Sequence, residues 1–134
     1  DAADQALRDG LFASNAEAAA MVLADKSITP ANLGALFGRS LGTSGYQKLP
    51  GGLMVQWGGY SENGTPLPAG GNVVRAITFP ATFSECFKVI ACSHQNYVMV
   101  APSGTTGSGF NIYFSTNQTS ALNLSMSYIA IGRV

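Results

Sequence analysis

Gly109-Phe-Asn-Ile-Tyr-Phe-Ser115 is the stretch that decides the fold. Phe110, Ile112 and Phe114 recur at every second position, which places all three on one face of a strand and leaves the other face to Asn111 and Tyr113. The same period recurs outward in both directions. Leu122, Leu124 and Met126 share a face, as do Val73, Ile77 and Phe79, and Leu53, Val55 and Trp57. Between these runs lie clusters of Gly, Pro, Asn and Ser, the residues of turns. The pattern predicts six strands, at residues 53–57, 73–79, 86–93, 97–101, 109–115 and 121–131, with connections at 58–72, 80–85, 94–96, 102–108 and 116–120. Trp57, alternating with Leu53 and Val55, is expected in the core. The third strand is apolar on both sides, with Phe87, Val89 and Ala91 on one and Cys86, Ile90 and Cys92 on the other. Either one face meets the core and the other a second subunit, or it is a central strand covered by loops.

Upstream the grammar changes. Before residues 38–45 the chain is rich in Ala and holds five of the seven acidic residues, Asp1, Asp4, Asp9, Glu17 and Asp25. Asp9-Gly10 is read as a break after a helix end at residues 1–8. Ser14-Asn-Ala-Glu17 has the spacing of a capping box that opens a helix over 15–24. Thr29-Pro30 caps a further helix that ends before Gly38. Leu7, Leu11, Ser14, Ala18 and Met21 form a weak heptad track that Asp9-Gly10 interrupts. Helices this short are marginal alone in water, so their apolar faces want a partner. The fold class expected is mainly β: a short helical stalk over residues 1–44, then a six-stranded antiparallel β-sandwich head over 45–134. The start at Asp1 suggests a fragment or a processed product.

Composition removes several functions. Charged residues make up 10% of the chain and the net charge is zero, so no basic surface for nucleic acid is expected. The longest apolar runs are too short to span a bilayer, and no secretory leader is recognisable. Cys86 and Cys92 lie in one apparent strand, six residues or roughly 20 Å apart, beyond the reach of a disulfide. Two buried free thiols fit folding in a reducing cytoplasm. Neither a Cys-x-x-Cys nor a His-x-His cluster is present, so no metal and no cofactor is expected.

Four stretches carry a family resemblance. Residues 16–33, from Ala16-Glu-Ala-Ala-Ala through Ile28-Thr-Pro-Ala-Asn-Leu33, resemble a tail-fibre repeat. Gly45-Tyr-Gln-Lys-Leu-Pro-Gly-Gly-Leu-Met-Val-Gln-Trp-Gly58 resembles the opening of the C-terminal domain of many phage and prophage tail fibres. Ile77-Thr-Phe-Pro80 and the terminal Ser127-Tyr-Ile-Ala-Ile-Gly132 are similar to that family's Phe-Pro turn and last strand, with Tyr128 where Trp is frequent. The head also resembles, more loosely, the H-type lectin domains, six-stranded trimers that bind sugars. The resemblance implies a homotrimer, joined to the rest of the fibre at its distal end on the virion or tailocin. It implies attachment to a bacterial surface receptor such as lipopolysaccharide. No membrane insertion is implied.

If every connection is antiparallel, the first, third and fifth lie at the end away from the stalk. They supply the candidate ligand-binding residues Tyr60, Glu62, Asn63, His94, Gln95, Asn96, Asn117 and Gln118, with Ser61 among them. Asn and Gln offer donors and acceptors to sugar hydroxyls, and Tyr an apolar face with a polar tip. Catalysis is disfavoured. After Gly45 the only carboxylates are Glu62 and Glu85, which the same parity puts at opposite ends, whereas glycosidases need two within about 5–9 Å. No Gly-x-Ser-x-Gly occurs and His94 is the only histidine. The competing readings are a structural trimerisation cap and a polysaccharide depolymerase.

Overall fold

A computed structural model describes residues 1–20, 26–67, 70–118 and 121–134. Helix α1 (Ala2–Leu11) runs through Gly10 rather than breaking there. Helix α2 (Asn15–Ala20) opens on the expected capping box: the Ser14 hydroxyl accepts from Glu17 N–H at 3.2 Å, and Glu17 Oε2 accepts from Ser14 N–H at 2.9 Å. The helix end expected at residue 24, and Met21 of the heptad track, lie outside the described residues. Helix α3 (Pro30–Leu33) carries its own box between Thr29 and Asn32, with Pro30 in the first turn, and passes into a 3-10 turn at Gly34–Phe37. Ala18 and Asn32 are buried, and Asn32 Nδ2 donates to the Ala13 carbonyl, joining the two capped segments. The N-terminal region is thus a set of short capped helices.

Among the described residues eight strands follow: β1 (Arg39–Ser40), β2 (Gly45–Leu49), β3 (Leu53–Pro66), β4 (Asn72–Thr78), β5 (Glu85–Ser93), β6 (Val98–Ser103), β7 (Gly109–Thr116) and β8 (Ala121–Arg133). They form a five-stranded sheet in the order β1-β2-β3-β8-β5 and a three-stranded sheet in the order β4-β7-β6, every pair antiparallel. The six expected strands are therefore joined by β1 and β2. The turn between β2 and β3 is Pro50-Gly51-Gly52, with φ of +85° and +78° at the two glycines, a region open to Gly and costly to other residues. The chain enters the head at this end: Lys48 N–H donates to Gly38 O at 2.8 Å and Gln47 Nε2 to Phe37 O at 3.2 Å. The opposite, far end carries the links β3–β4, β5–β6 and β7–β8.

Between the sheets lies one core. Phe110, Ile112 and Phe114 enter it from β7 as their alternation predicts, facing Leu124, Met126, Tyr128 and Ala130 of β8. Phe79 and Phe83, from the link between β4 and β5, close the entry end; their rings meet edge-on at 5.1 Å, as do Phe110 and Tyr128 at 5.0 Å.

Two face assignments differ from expectation. In the first half of β3 the buried residues are Met54, Gln56 and Gly58, while Leu53, Val55 and Trp57 lie on the outer face. Gln56 tolerates full burial because its side-chain amide pairs with the Ala81 peptide: Nε2 donates to Ala81 O at 2.6 Å and Ala81 N–H to Oε1 at 2.8 Å. On β5, an irregularity between Cys86 and Lys88 turns Cys86 toward the core with Val89 and Ala91, and leaves Phe87 exposed. Both cysteines are free, but Cys86 is only half-buried and Cys92 is exposed.

Candidate functional site

The far end is laced together through one buried residue. Thr116, the last residue of β7, donates from Oγ1 to Tyr97 O at 2.8 Å in the link between β5 and β6. It accepts from Gln118 N–H at 3.1 Å in the link between β7 and β8. Its carbonyl accepts from Gly70 N–H at 2.9 Å in the link between β3 and β4. Three connections that are remote in sequence thus meet at one residue, two through its hydroxyl and one through its carbonyl, and that residue is 4% exposed. Around this brace Asn96, Asn117 and Gln118 are exposed, and Asn63 is exposed at the irregularity of β3 between Glu62 and Thr65. Replacing Thr116 by Val keeps the shape and removes both hydroxyl bonds. The expected result is a cost of about 1–2 kcal/mol and faster amide exchange in residues 95–97 and 117–118, with the entry-end amides unchanged.

Tyr60 and Glu62 are not loop residues. Strand β3 continues past Gly58-Gly59 to Pro66, so both side chains face inward between the sheets. Arg75 of β4 grips Glu62 with two bonds, Nε to Oε2 at 2.7 Å and Nη2 to Oε1 at 2.9 Å. Tyr60 Oη donates to Glu62 Oε2, and Thr65 Oγ1 donates to Oε1 at 2.7 Å. Donation by Arg75, then Tyr60, then Thr65 holds the Glu62 carboxyl at a pKa of about 2. The Arg75 guanidinium is raised in turn, and Tyr60 is raised by its bond to Glu62. A carboxylate whose folded pKa lies below its unfolded value near 4.5 stabilises the fold above pH 4.5. That contribution fades as pH falls from 4.5 toward 2. In a series of melting temperatures against pH, Glu62→Gln is expected to flatten the drop in that window and to lower stability at pH 7. Glu17, held near 2 by Lys26 and Ser14, leaves a residual slope in that variant.

His94 and Gln95 begin the link between β5 and β6. Gln95 Oε1 accepts from Ser125 N–H at 3.2 Å and from Ser93 Oγ at 3.4 Å, so this amide oxygen braces the backbone of β8. His94 lies against the same strand: its N–H donates to Ser125 O at 2.9 Å, and its ring nitrogens sit 2.7 Å from Ser125 Oγ and 2.8 Å from Ser127 Oγ. His94 adjoins an open concavity of about 370 Å³ on the outer face of the five-stranded sheet, bordered also by Thr43, Ser44, Gly59, Ser61 and Ser127. Of the eight sequence-level candidates, the far end thus exposes His94, Asn63, Asn96, Asn117 and Gln118, and turns Tyr60, Glu62 and the Gln95 oxygen to structural bonds. No group of three His, Cys, Asp or Glu residues arranged to hold a metal occurs among the described residues.

Residues 48–133 match the family model described as "Putative tail fiber protein gp53-like, C-terminal". The chain belongs to that family. This tail-fibre domain is similar in structure to a pyocin fibre of P. aeruginosa, the R1 fibre comprising C-terminal residues 323–701, with 26% identity and a TM-score of 0.64. The similarity covers 79% of this chain and 32% of that one, so the chain spans about a third of that fibre piece. An N-truncated R1-type pyocin tail fibre gives 25% identity and a TM-score of 0.64, covering 79% of this chain and 98% of the other. A P. aeruginosa R2 pyocin fibre at 24% identity, with a TM-score of 0.56, shares the fold. No curated protein matches the sequence. The domain is therefore the C-terminal part of a phage or tailocin tail fibre, and a component of that particle. Sequence reading of the tail-fibre domain missed Thr116, Arg75, Ser125 and Ser127. The last two were visible as a period-2 pair, Ser125-Met-Ser127, on a strand whose other face is apolar.

Proposed function

We propose that this domain is the receptor-binding tip of its fibre, a homotrimer at the distal end that grips a bacterial surface glycan such as lipopolysaccharide. The observation that carries the reading is the far end. It lies opposite the point where the chain enters the head, and it exposes amides and a histidine on loops braced from behind by Thr116. Such groups pair with sugar hydroxyls, and a braced surface loses little entropy on binding. Three copies on one tip, and several tips on one particle, turn weak single sites into firm attachment through avidity.

The trimer is supported by the outer face of the five-stranded sheet. Ile90 is 73% exposed, Ile129 58% and Phe87 46% in a single chain, a contiguous apolar area of the kind that marks a protein contact. The stalk over residues 1–44 and the head over 45–134 remain the working division of the chain.

Hydrolysis of the glycan is disfavoured. Glu62, with a pKa of about 2, holds no proton to give near neutral pH, and general acids in glycosidases have raised values. Glu85 pairs with Arg133 at the entry end, nine residues along β3 from Glu62 in the shared register. The test is competition: the isolated protein in large excess is expected to block adsorption of the parent particle to susceptible cells. Undiminished adsorption overturns the reading. The alternative, a trimerisation cap without recognition, predicts that exchanging the far-end loops leaves host range unchanged.

A further inference from the structure

The outer face of the five-stranded sheet changes character at one cross-strand step. Moving along β3, its outward residues are Leu53, Val55, Trp57, then Gly59, Ser61, Asn63; moving with them along β8, they are Ile131 and Ile129, then Ser127 and Ser125. The pair Trp57–Ile129 is the last apolar one, and Gly59–Ser127 the first polar one. Strand β5 follows suit, with Ile90 beside Ile129 and Cys92 beside Ser127, ahead of His94. The concavity lies in the polar half.

From this half we infer a binding site for an uncharged saccharide unit on the sheet face, set between Gly59, Ser61, Ser125, Ser127 and His94. The inference rests on the receptor-binding reading and gives it a place and a ligand class. Three features support it. Gly59 puts no side chain on the floor; a Cβ there would stand 2.9 Å from the Met126 carbonyl, so the dip is a property of the backbone packing. Both imidazole nitrogens of His94 are engaged by the two serine hydroxyls, so what the ring leaves to a ligand is carbon. In the neutral ring one nitrogen donates and one accepts; one serine therefore keeps its O–H to give, and the other keeps its lone pairs. The site thus offers an apolar ring edge beside one donor and several acceptors, which matches a pyranose with its C–H face and its hydroxyls.

Charge sets the class. Among the described residues, no Asp, Glu, Lys or Arg borders the concavity. Glu62 faces the other side of β3 in its pair with Arg75, and Arg75 is occupied by that pair. An anionic sugar would find no Lys or Arg here to replace the water it leaves. A volume of about 370 Å³ is at the lower end of the range for small-ligand sites, which fits one or two sugar units.

The test uses the full chain and two variants, Ser61→Tyr, which fills the dip with a strand-compatible side chain, and His94→Ala. The probes are immobilised bacterial O-polysaccharides, one set neutral and one set bearing uronate or phosphate groups, read by surface binding with the melting temperature as a folding control. Wild type is expected to bind at least one neutral polysaccharide and to discriminate against the anionic set, and Ser61→Tyr to weaken that binding about tenfold or more. His94→Ala is expected to weaken it as well, which guards against Ser61→Tyr acting through misfolding. Equal or preferred binding of the anionic set overturns the inference, as does unchanged binding by both variants. If wild type and folded Ser61→Tyr block particle adsorption equally, the receptor reading stands and this site falls. If neither blocks adsorption, both fall together.

Discussion

Phe114→Ala is expected to cost about 3–5 kcal/mol of stability, the range found when a large buried aromatic ring is truncated and its space is only partly refilled. Phe114 is fully buried at the middle of β7, opposite Val73 on one neighbouring strand and Val100 on the other. Its ring lies 5.9 Å from that of Tyr60, and so bridges the two sheets. The loss removes the packing that holds Tyr60 in reach of Glu62, so the inter-sheet ion pair is expected to loosen too. Urea unfolding at fixed protein concentration measures the effect, since any association shifts the midpoint by mass action. Asn111→Ser, three residues away and exposed on the same strand, is expected to stay within about 0.5 kcal/mol. A loss below about 1 kcal/mol for Phe114→Ala would mean that the two sheets do not share one core.

Gln56→Leu is the second large effect, and its sign runs against hydropathy. Leucine is the more apolar side chain and Gln56 is 0% exposed, so transfer alone favours the substitution. The amide, however, completes both hydrogen bonds of the Ala81 peptide, in the link that carries Phe79 and Phe83 into the core. Leucine leaves a donor and an acceptor unmet, at roughly 1–3 kcal/mol each, less what water recovers at the half-buried Ala81. A net loss of about 2–4 kcal/mol is expected in the same unfolding experiment. Hydrogen exchange should show the Ala81 amide among the first to lose protection.

The same two residues show what a sequence reveals. Phe114 was legible: its strand alternates cleanly, and its inward side carries large apolar groups up to Thr116 at its end. Gln56 was not. In Leu53-Met-Val-Gln-Trp57 the apolar, alternating set Leu53, Val55 and Trp57 is the outer one, and the set with a glutamine is the core. Periodicity finds the two faces, but which is buried depends on a peptide 25 residues away. Gly58-Gly59 misled in a related way. A pair of glycines reads as a break, and a break there puts Tyr60 and Glu62 in a loop. The glycines instead admit neighbours: a Cβ on Gly58 would lie 2.8 Å from the Tyr128 ring. They are sites of close packing inside a long strand, a use of glycine that local sequence cannot tell from a turn. The irregularity in β5 that turns Cys86 inward left no local mark. The Ser14–Glu17 capping box and the Thr29 cap, by contrast, were legible because their bonding is local.

The bonding around Thr116 bears on how such fibres can be re-engineered. A hydroxyl and a carbonyl on one residue hold the backbones of three separate links, so these links are one mechanical part made from three pieces of chain. Grafting any single link from another fibre must either reproduce a backbone amide or carbonyl at the matching position or leave the brace unmet. The workable unit of exchange is the set of three with the end of β7 included. Retargeting this head by grafting is therefore a problem of moving a cassette, whereas side-chain variation within one loop leaves the backbone groups of the brace in place.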